Sequence, residues 1–145
     1  MTSFKTEINA LYAKQKKELQ NAITNYLNTQ FKEFFEKNPS ANFVKINAQQ
    51  SYDDNNYSDY VYKDSDSIQI NAYTYMDIDN EDWDDDECVE NTGLTREQHA
   101  NLASEASAIF DQIDDSILLT LYGNYFGLKI DRLGITLESS DIATY

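Results

Sequence analysis

The fold is set first by residues 3–37, which read SFKTEINALYAKQKKELQNAITNYLNTQFKEFFEK. Their apolar residues recur at spacings of three and four, the period of one face of an α-helix. These residues are Ile8, Leu11, Tyr12, Leu19, Ala22, Ile23, Tyr26, Leu27, Phe31, Phe34 and Phe35. Pro39 ends the pattern because proline disfavours helical geometry in the residue before it. The spacing predicts one helix over residues 3–37, about 50 Å long at 1.5 Å per residue.

A helix of this length exceeds the width of a small domain, so it must overhang, bend or pair with another copy. Its aromatic residues Phe31, Phe34 and Phe35 cluster at one end. We predict that these three residues form a homodimer interface. The alternative is a bent helix that packs wholly within its own domain.

Three strands are expected to follow the helix. Residues 42–48 and residues 67–78 alternate apolar with polar side chains, and residues 57–63 lie between two turn clusters at residues 53–56 and 64–66. Short Asp and Asn side chains favour such turns because they bond their own backbone. Residues 42–78 therefore predict an antiparallel meander with one apolar face and one wet face.

The remaining chain predicts a loop, helices and a hairpin. Residues 80–92 show no periodicity and are interpreted as an acidic loop. Residues 95–122 form a helical region opened by a capping box of Thr95 and Gln98, although residues 117–122 fit a helix or a strand. Residues 126–138 resemble a hairpin. The expected architecture is a single α+β domain over residues 1–145. In it, the long N-terminal helix and a second helical region pack on one face of an antiparallel sheet, made of the three-stranded meander and the C-terminal hairpin.

The charge of the 145-residue chain is concentrated in its middle. Residues 51–92 hold fourteen Asp and Glu residues and one Lys, which is most of the formal net charge of −15. A surface of this sign repels nucleic acid and anionic membranes, so direct binding to either is not expected. The charge instead favours a basic protein partner, of the kind that binds nucleic acid.

The residues with catalytic potential are few. Cys88, the single cysteine, lies beside Glu87 and Glu90, a negative setting that disfavours a thiolate nucleophile. His99, the single histidine, falls in the first turn of the second helical region, a position typical of a surface or packing residue. We therefore expect a protein that is not an enzyme and needs no cofactor.

One segment has partial metal-binding spacing. Asp77, Asp79 and Glu81 match the start of an EF-hand loop. That loop requires glycine at its sixth position and glutamate at its twelfth, where this chain has Asp82 and Cys88. The EF-hand interpretation fails, and no specific metal site is predicted.

The acidic segment has features of a nucleic-acid mimic. Duplex DNA presents one negative charge about every 1.7 Å, so a protein that occupies a nucleic-acid-binding cleft needs many carboxylates on a rigid surface. Aromatic residues with a polar tip supply contact area. The candidate partner-binding residues are Asp53, Asp54, Tyr57, Asp59, Tyr60, Tyr62, Asp64, Asp66, Tyr73, Tyr75, Asp77, Asp79, Asp82 and Trp83. The alternative is a solvated acidic face with half-buried tyrosines.

Several segments resemble small uncharacterised acidic proteins of phages and bacteria. The resemblance rests on FKEFFEKNP at residues 31–39, on residues 43–46 and 50–55, and on YGNYF and LGI at residues 122–126 and 133–135. It covers about a third of the chain and carries no known activity. It implies a phage or mobile-element setting, in which small acidic proteins often counter host defences.

These observations lead to one leading hypothesis and two alternatives. The leading hypothesis is an acidic inhibitor or anti-defence protein, a possible DNA mimic, that binds the basic nucleic-acid-binding surface of a host protein. The alternatives are an immunity or antitoxin protein that neutralises a basic toxin, and a phage structural or assembly component. The N-terminus lacks a continuous apolar run, so a cytoplasmic location, in the host cell if the protein is phage-encoded, is expected.

Overall fold

The computed structural model describes residues 3–53, 56–62, 67–123 and 125–140. For residues 49–53, 56–62, 80, 139 and 140 it describes the backbone alone. The predicted α+β class is confirmed. The elements of the described residues are α1 (Phe4–Lys37), β1 (Phe43–Asp53), β2 (Asn56–Tyr62), β3 (Ile68–Ile70), α2 (Tyr75–Asn80), α3 (Asp85–Thr92), α4 (Arg96–Asp111), α5 (Asp115–Tyr122), β4 (Tyr125–Asp131) and β5 (Gly134–Ser140).

The long helix α1 is confirmed, and it overhangs. It begins where the Ser3 hydroxyl accepts a hydrogen bond from the Thr6 amide at 3.2 Å, and Asn38 caps its end. Its buried residues all lie in its C-terminal half, from Ile23 onward. No residue of 4–22 is buried. We call residues 4–22 the N-terminal arm and the rest of the described chain the body.

The three aromatic residues predicted to form a dimer interface lie in the core instead. Phe31, Phe34 and Phe35 are 1%, 1% and 4% exposed. The Phe31 ring packs against Phe110 of α4, with 5.5 Å between ring centroids. The Arg132 guanidinium lies 5.2 Å from the centroid of Phe35. The prediction is wrong for these residues because their own body covers them and leaves no free surface.

The sheet is organised around β1. Along one side β1 pairs antiparallel with β4, from Phe43 opposite Asp131 to Gln49 opposite Tyr125, and β4 pairs in turn with β5. Along its other side β1 pairs with β3 over its first half and with β2 over its second half. The C-terminal hairpin is confirmed. The meander is corrected, since the third strand pairs with the first and not with the second.

The third strand is also shorter than predicted. It stops at Ile70, because Asn71 and Ala72 adopt positive φ angles of 52° and 79° that turn the chain away. The Thr74 hydroxyl then accepts a hydrogen bond from the Asp77 amide at 3.1 Å, and the Asp77 carboxylate accepts one from the Thr74 amide at 3.0 Å. This capping box starts α2. The predicted strand over residues 67–78 is wrong beyond Ile70, because local capping outweighs the two-residue alternation.

The second helical region follows its sequence signals. Thr95 and Gln98 form the predicted capping box of α4. Residues 117–122 are helical and belong to α5, which begins where the Asp114 carboxylate accepts from the Ser116 amide at 2.9 Å. Gly123, with φ of 85°, ends this helix.

The helices cover one face of the sheet. Val44, Ile46, Leu128 and Ile130 point from the two central strands into the core and are at most 1% exposed. On the opposite face, Lys45 forms an ion pair with Glu138 at 3.2 Å. The buried face joins the C-terminal half of α1 with α4 and α5 in one apolar cluster.

Candidate functional site

The densest acidic run forms a helix. The Asp84 carboxylate accepts a hydrogen bond from the Glu87 amide at 2.8 Å and caps α3, which Gly93 ends with φ of 81°. Asp85, Asp86 and Glu87 occupy the first turn. Carboxylates are favourable there because the helix N-terminus carries partial positive charge. The predicted loop over residues 80–92 is therefore wrong for most of its length, since the cap and the helix dipole offset the repulsion.

Two buried side chains hold α3 against the body. Cys88 is 0% exposed and Thr92 is 4% exposed. They are four residues apart and lie on the same helix face. The Thr92 hydroxyl donates to the Cys88 carbonyl oxygen at 2.8 Å and accepts from the Leu94 amide at 3.1 Å. Cys88 is a packing residue of this inner face.

Asn71 links the acidic segment to the start of the sheet. Its side-chain amide donates to the carbonyl oxygens of Ser40 at 2.9 Å and of Thr92 at 2.8 Å. Its side-chain oxygen accepts from the backbone amide of Asn42 at 2.7 Å. One buried side chain therefore joins the turn after β3, the end of α3 and the segment before β1. Asparagine suits this position because it tolerates positive φ better than most residues.

Arg96 fixes the segment between α2 and α3. Its guanidinium donates to the carbonyl oxygen of Trp83 and, at 3.3 Å, to that of Glu81. The Trp83 ring packs edge-on against Tyr73, with 5.6 Å between centroids. Arg96 therefore donates hydrogen bonds to backbone carbonyl oxygens of the acidic segment. The rings of Tyr73 and Trp83 are half-buried.

His99 lies buried beneath the segment that contains Tyr73 and bonds its backbone. It is 0% exposed, and its Nε2 lies 2.7 Å from the carbonyl oxygen of Tyr73, to which it donates. Burial lowers the pKa of His99 below its ordinary value, although the Tyr73 and Ile70 carbonyls and the charge of Asp77 act in the opposite direction. A neutral imidazole is therefore the favoured form in the folded protein.

The acidic residues of positions 75–92 are all exposed, and we call this set of carboxylates the acidic ridge. Its nine members, all exposed, are Asp77, Asp79, Glu81, Asp82, Asp84, Asp85, Asp86, Glu87 and Glu90. Residues 64–95 contain no Lys or Arg. Both ion pairs found among the described residues use other acids, Glu105 and Glu138. Within the described structure, no ridge carboxylate therefore forms an ion pair, and Arg96 contacts this segment through backbone carbonyl oxygens only.

The charge density along α3 approaches that of nucleic acid. Five carboxylates lie between Asp84 and Glu90, an axial rise of about 9 Å at 1.5 Å per residue. This is one charge per roughly 2 Å, against about 1.7 Å for duplex DNA.

The predicted site residues divide into three groups. Asp77, Asp79 and Asp82 belong to the ridge, and Tyr73, Tyr75 and Trp83 lie half-buried along it. Asp53, Tyr57, Asp59, Tyr60 and Tyr62 have a described backbone at the end of β1 and in β2, but their side chains lie outside the described structure. Asp54, Asp64 and Asp66 lie outside the described residues altogether.

Sequence reasoning missed most of the ridge. Its unpredicted members are Glu81, Asp84, Asp85, Asp86, Glu87 and Glu90. The signal was present, because Asp84 followed three residues later by Glu87 is an N-cap pattern and Gly93 is a helix stop. The buried pair of Cys88 and Thr92 supplied the inner face.

The ridge does not form a metal centre in the part of the chain that the structure describes. No three His, Cys, Asp or Glu side chains among these residues are placed to hold a metal ion. Two carboxylates, those of Asp77 and Asp84, are instead used to cap α2 and α3.

No family model, curated protein or solved structure matches the chain. Among the described residues, no helix combines the length and apolar character needed to cross a membrane.

Proposed function

We propose that this protein is an acidic inhibitor that binds the basic, nucleic-acid-binding surface of another protein in place of nucleic acid. The observation that carries the proposal is the acidic ridge, with nine exposed carboxylates on and between two capped helices and no ion pair to any of them among the described residues. A basic groove supplies the missing cations. The complementary charges accelerate association at low salt and disfavour anionic competitors.

The way in which the ridge is held adds to the argument. Asn71 fixes its backbone at Thr92, and Arg96 fixes it at Glu81 and Trp83. Carboxylates on a fixed backbone lose less conformational freedom on binding than carboxylates on a mobile loop. Order in this segment therefore favours recognition of a shaped partner over a purely solubilising role.

The aromatic residues beside the ridge supply an anchor. Trp83 lies within the acidic run and is only half-buried. Its carbonyl oxygen, bonded by Arg96, fixes its position. Tryptophan is enriched among the residues that dominate binding energy at interfaces. Trp83 is thus our candidate for the centre of the contact, with carboxylates around it.

The setting of this activity follows from the resemblance to phage and bacterial proteins. An anti-defence role in the host cytoplasm accords with it, and the target is then a host protein that binds DNA or RNA. A toxin as target requires the same charge complementarity, so the identity of the captured partner separates an inhibitor from an immunity protein.

The test is capture of partners from a nuclease-treated bacterial lysate at about 50 mM and about 300 mM salt, chosen to bracket physiological screening. The wild-type chain should retain basic nucleic-acid-binding proteins at the lower salt and release them at the higher one. The affinity for these proteins should be at least about tenfold weaker in a variant with Asp82→Asn, Asp85→Asn, Asp86→Asn and Glu90→Gln. The variant leaves the capping residues Asp77 and Asp84 unchanged, so that both helices keep their caps.

A matched control separates the ridge from net charge alone. The control removes the same number of negative charges, four, from exposed positions of α1 by Glu7→Gln, Glu18→Gln, Glu33→Gln and Glu36→Gln. This control should bind as the wild type does. Equal losses in both variants, or recovery of no basic protein, would show that the ridge is not a specific binding surface.

A further inference from the structure

A second surface of the molecule differs from the ridge in almost every property. The N-terminal arm carries Phe4, Ile8, Leu11, Tyr12 and Leu19, which are 77%, 45%, 55%, 57% and 38% exposed. Their spacing puts them on one helix face. We propose that two copies of this chain pair antiparallel through these arms.

The exposed apolar area is large enough for a dimer. Taking about 200 Å² for each full side chain, the five exposures correspond to roughly 500 Å² of apolar surface per copy. This lies at the upper end of the largest apolar patches on monomeric proteins, about 300–600 Å². Pairing two arms covers roughly 1,000 Å² of apolar surface, and the flanking polar residues bring the total within the range of about 1,200–2,000 Å² typical of stable interfaces.

Charge favours a second copy over other occupants. Residues 4–22 hold four Lys and two Glu, whereas the whole chain has a net charge of −15. An anionic membrane attracts the arm but repels the body. A second copy instead offers a matching apolar stripe together with an acidic body for the lysines of the arm.

The same charge sets the direction of pairing. Two parallel arms place two strongly acidic bodies side by side. Two antiparallel arms place the bodies at opposite ends of a helix pair about 28 Å long. This separation is several times the Debye length of about 8 Å at physiological ionic strength, so the repulsion is screened. In the antiparallel pair, the tip of each arm, with Lys5, lies where α1 of the other copy enters its acidic body.

The dimer is independent of the proposed function but affects how the ridge is presented. Each end of the antiparallel pair carries one ridge. A target that offers two basic sites at a matching distance is then bound with a gain in avidity.

The first test is the mass of the full chain by sedimentation equilibrium from about 1 to about 100 µM, the range over which a micromolar dimer dissociates. The expected mass rises towards twice 16.7 kDa. The double variant Ile8→Gln, Leu11→Gln should raise the dissociation constant at least about tenfold, because it removes apolar area from both arms. Its circular dichroism and its urea midpoint report whether the body remains folded.

Leu133→Gln is the matched control. Leu133 is 98% exposed at the turn between β4 and β5, outside the arm, so this variant should dimerise as the wild type does. A monomer at the highest concentration, a dimer that Ile8→Gln, Leu11→Gln leaves intact, or a larger oligomer would overturn the proposal. So would a monomer that sediments with phosphatidylglycerol vesicles through its arm.

Cross-linking tests the direction. Phe4 and Leu19 mark the two ends of the apolar stripe, so full overlap of antiparallel stripes places Phe4 of one copy opposite Leu19 of the other. A mixture of Phe4→Cys and Leu19→Cys chains should give a disulfide-linked heterodimer on mild oxidation, while Phe4→Cys alone should stay unlinked. Cys88 is buried and does not interfere. Efficient linking of Phe4→Cys to itself would show a parallel pair and overturn the antiparallel arrangement.

Discussion

The acidic ridge and the N-terminal arm show opposite relations between sequence pattern and packing. The arm has a regular amphipathic pattern, yet none of its residues is buried. The ridge has no regular apolar pattern, yet its inner face includes the fully buried Cys88 and Ile78. The difference shows that apolar periodicity predicts whether a segment is a helix or a strand. Whether that segment packs against the body depends on a few buried side chains, which we call anchors. If so, substitutions at the anchors of the ridge cost stability and substitutions in the arm do not.

Among substitutions that act on the ridge and its anchors, the largest effect is expected at Asn71. Asn71→Ala removes the side chain that bonds Ser40, Asn42 and Thr92, leaving one buried and two part-buried backbone groups without this partner. We expect the free energy of unfolding to fall by about 2 to 4 kcal/mol. Urea unfolding measures it. Asn101→Ala, at an exposed position of α4, is the control and should change stability by less than about 0.5 kcal/mol.

A smaller effect is expected from pH, through His99. Its pKa is lowered in the folded state, so below about pH 6.5 the unfolded chain binds a proton that the folded chain does not. The contribution of His99 is fully present above that pH and is lost as pH falls towards the lowered folded pKa. Stability should rise with pH in this range, and the slope for one proton is at most about 1.4 kcal/mol per pH unit. His99→Gln should be less stable at every pH but should lose this part of the slope. Equal slopes in both proteins would contradict the assignment.

The smallest effect is expected in the arm. Leu11 is 55% exposed, so Leu11→Ala leaves no cavity in the body. At concentrations where the chain is monomeric, the free energy of unfolding should change by less than about 0.5 kcal/mol. Phe34→Ala, in the buried half of the same helix, should cost about 3 to 5 kcal/mol under the same conditions. Similar losses for both would remove the distinction between arm and body.

Sequence reasoning predicted the elements with strong local signals. The three- and four-residue spacing and Pro39 predicted α1, the Thr95 capping box predicted α4, and the turn before Gly134 predicted the last hairpin. In each case local hydrogen bonding and the apolar pattern indicate the same structure. Such agreement is what makes an element predictable from sequence.

The remainder depended on contacts distant in sequence or on competing local signals. Alternation continued past Ile70, but two positive φ angles and the Thr74 cap redirected the chain. Which half of α1 is buried depends on Phe110, more than seventy residues away from Phe31. The role of Asn71 depends likewise on Thr92. Neither contact is encoded in a local pattern.

The candidate site was predicted in part. The acidic character of the segment could be inferred from its composition. The sequence itself places Trp83 within the acidic run. Residues 85–92 have no apolar periodicity, so the pattern predicts a loop, whereas the Asp84 cap and the favourable interaction of carboxylates with a helix N-terminus produce α3. The acids and tyrosines of residues 53–66 remain predictions.

The continuity of α1 has a consequence for how its exposed half stays helical. Nucleating a helix in water is unfavourable, and isolated helices of fewer than about 15 residues are marginal. The half of α1 from Ile23 to Lys37 is nucleated by the core, so residues 4–22 need only propagate an existing helix. Helicity should therefore decay from residue 22 towards Phe4, and amide hydrogen exchange should become faster along the same direction. The hydrophobic core thus acts as the template for a helix segment that it does not contact.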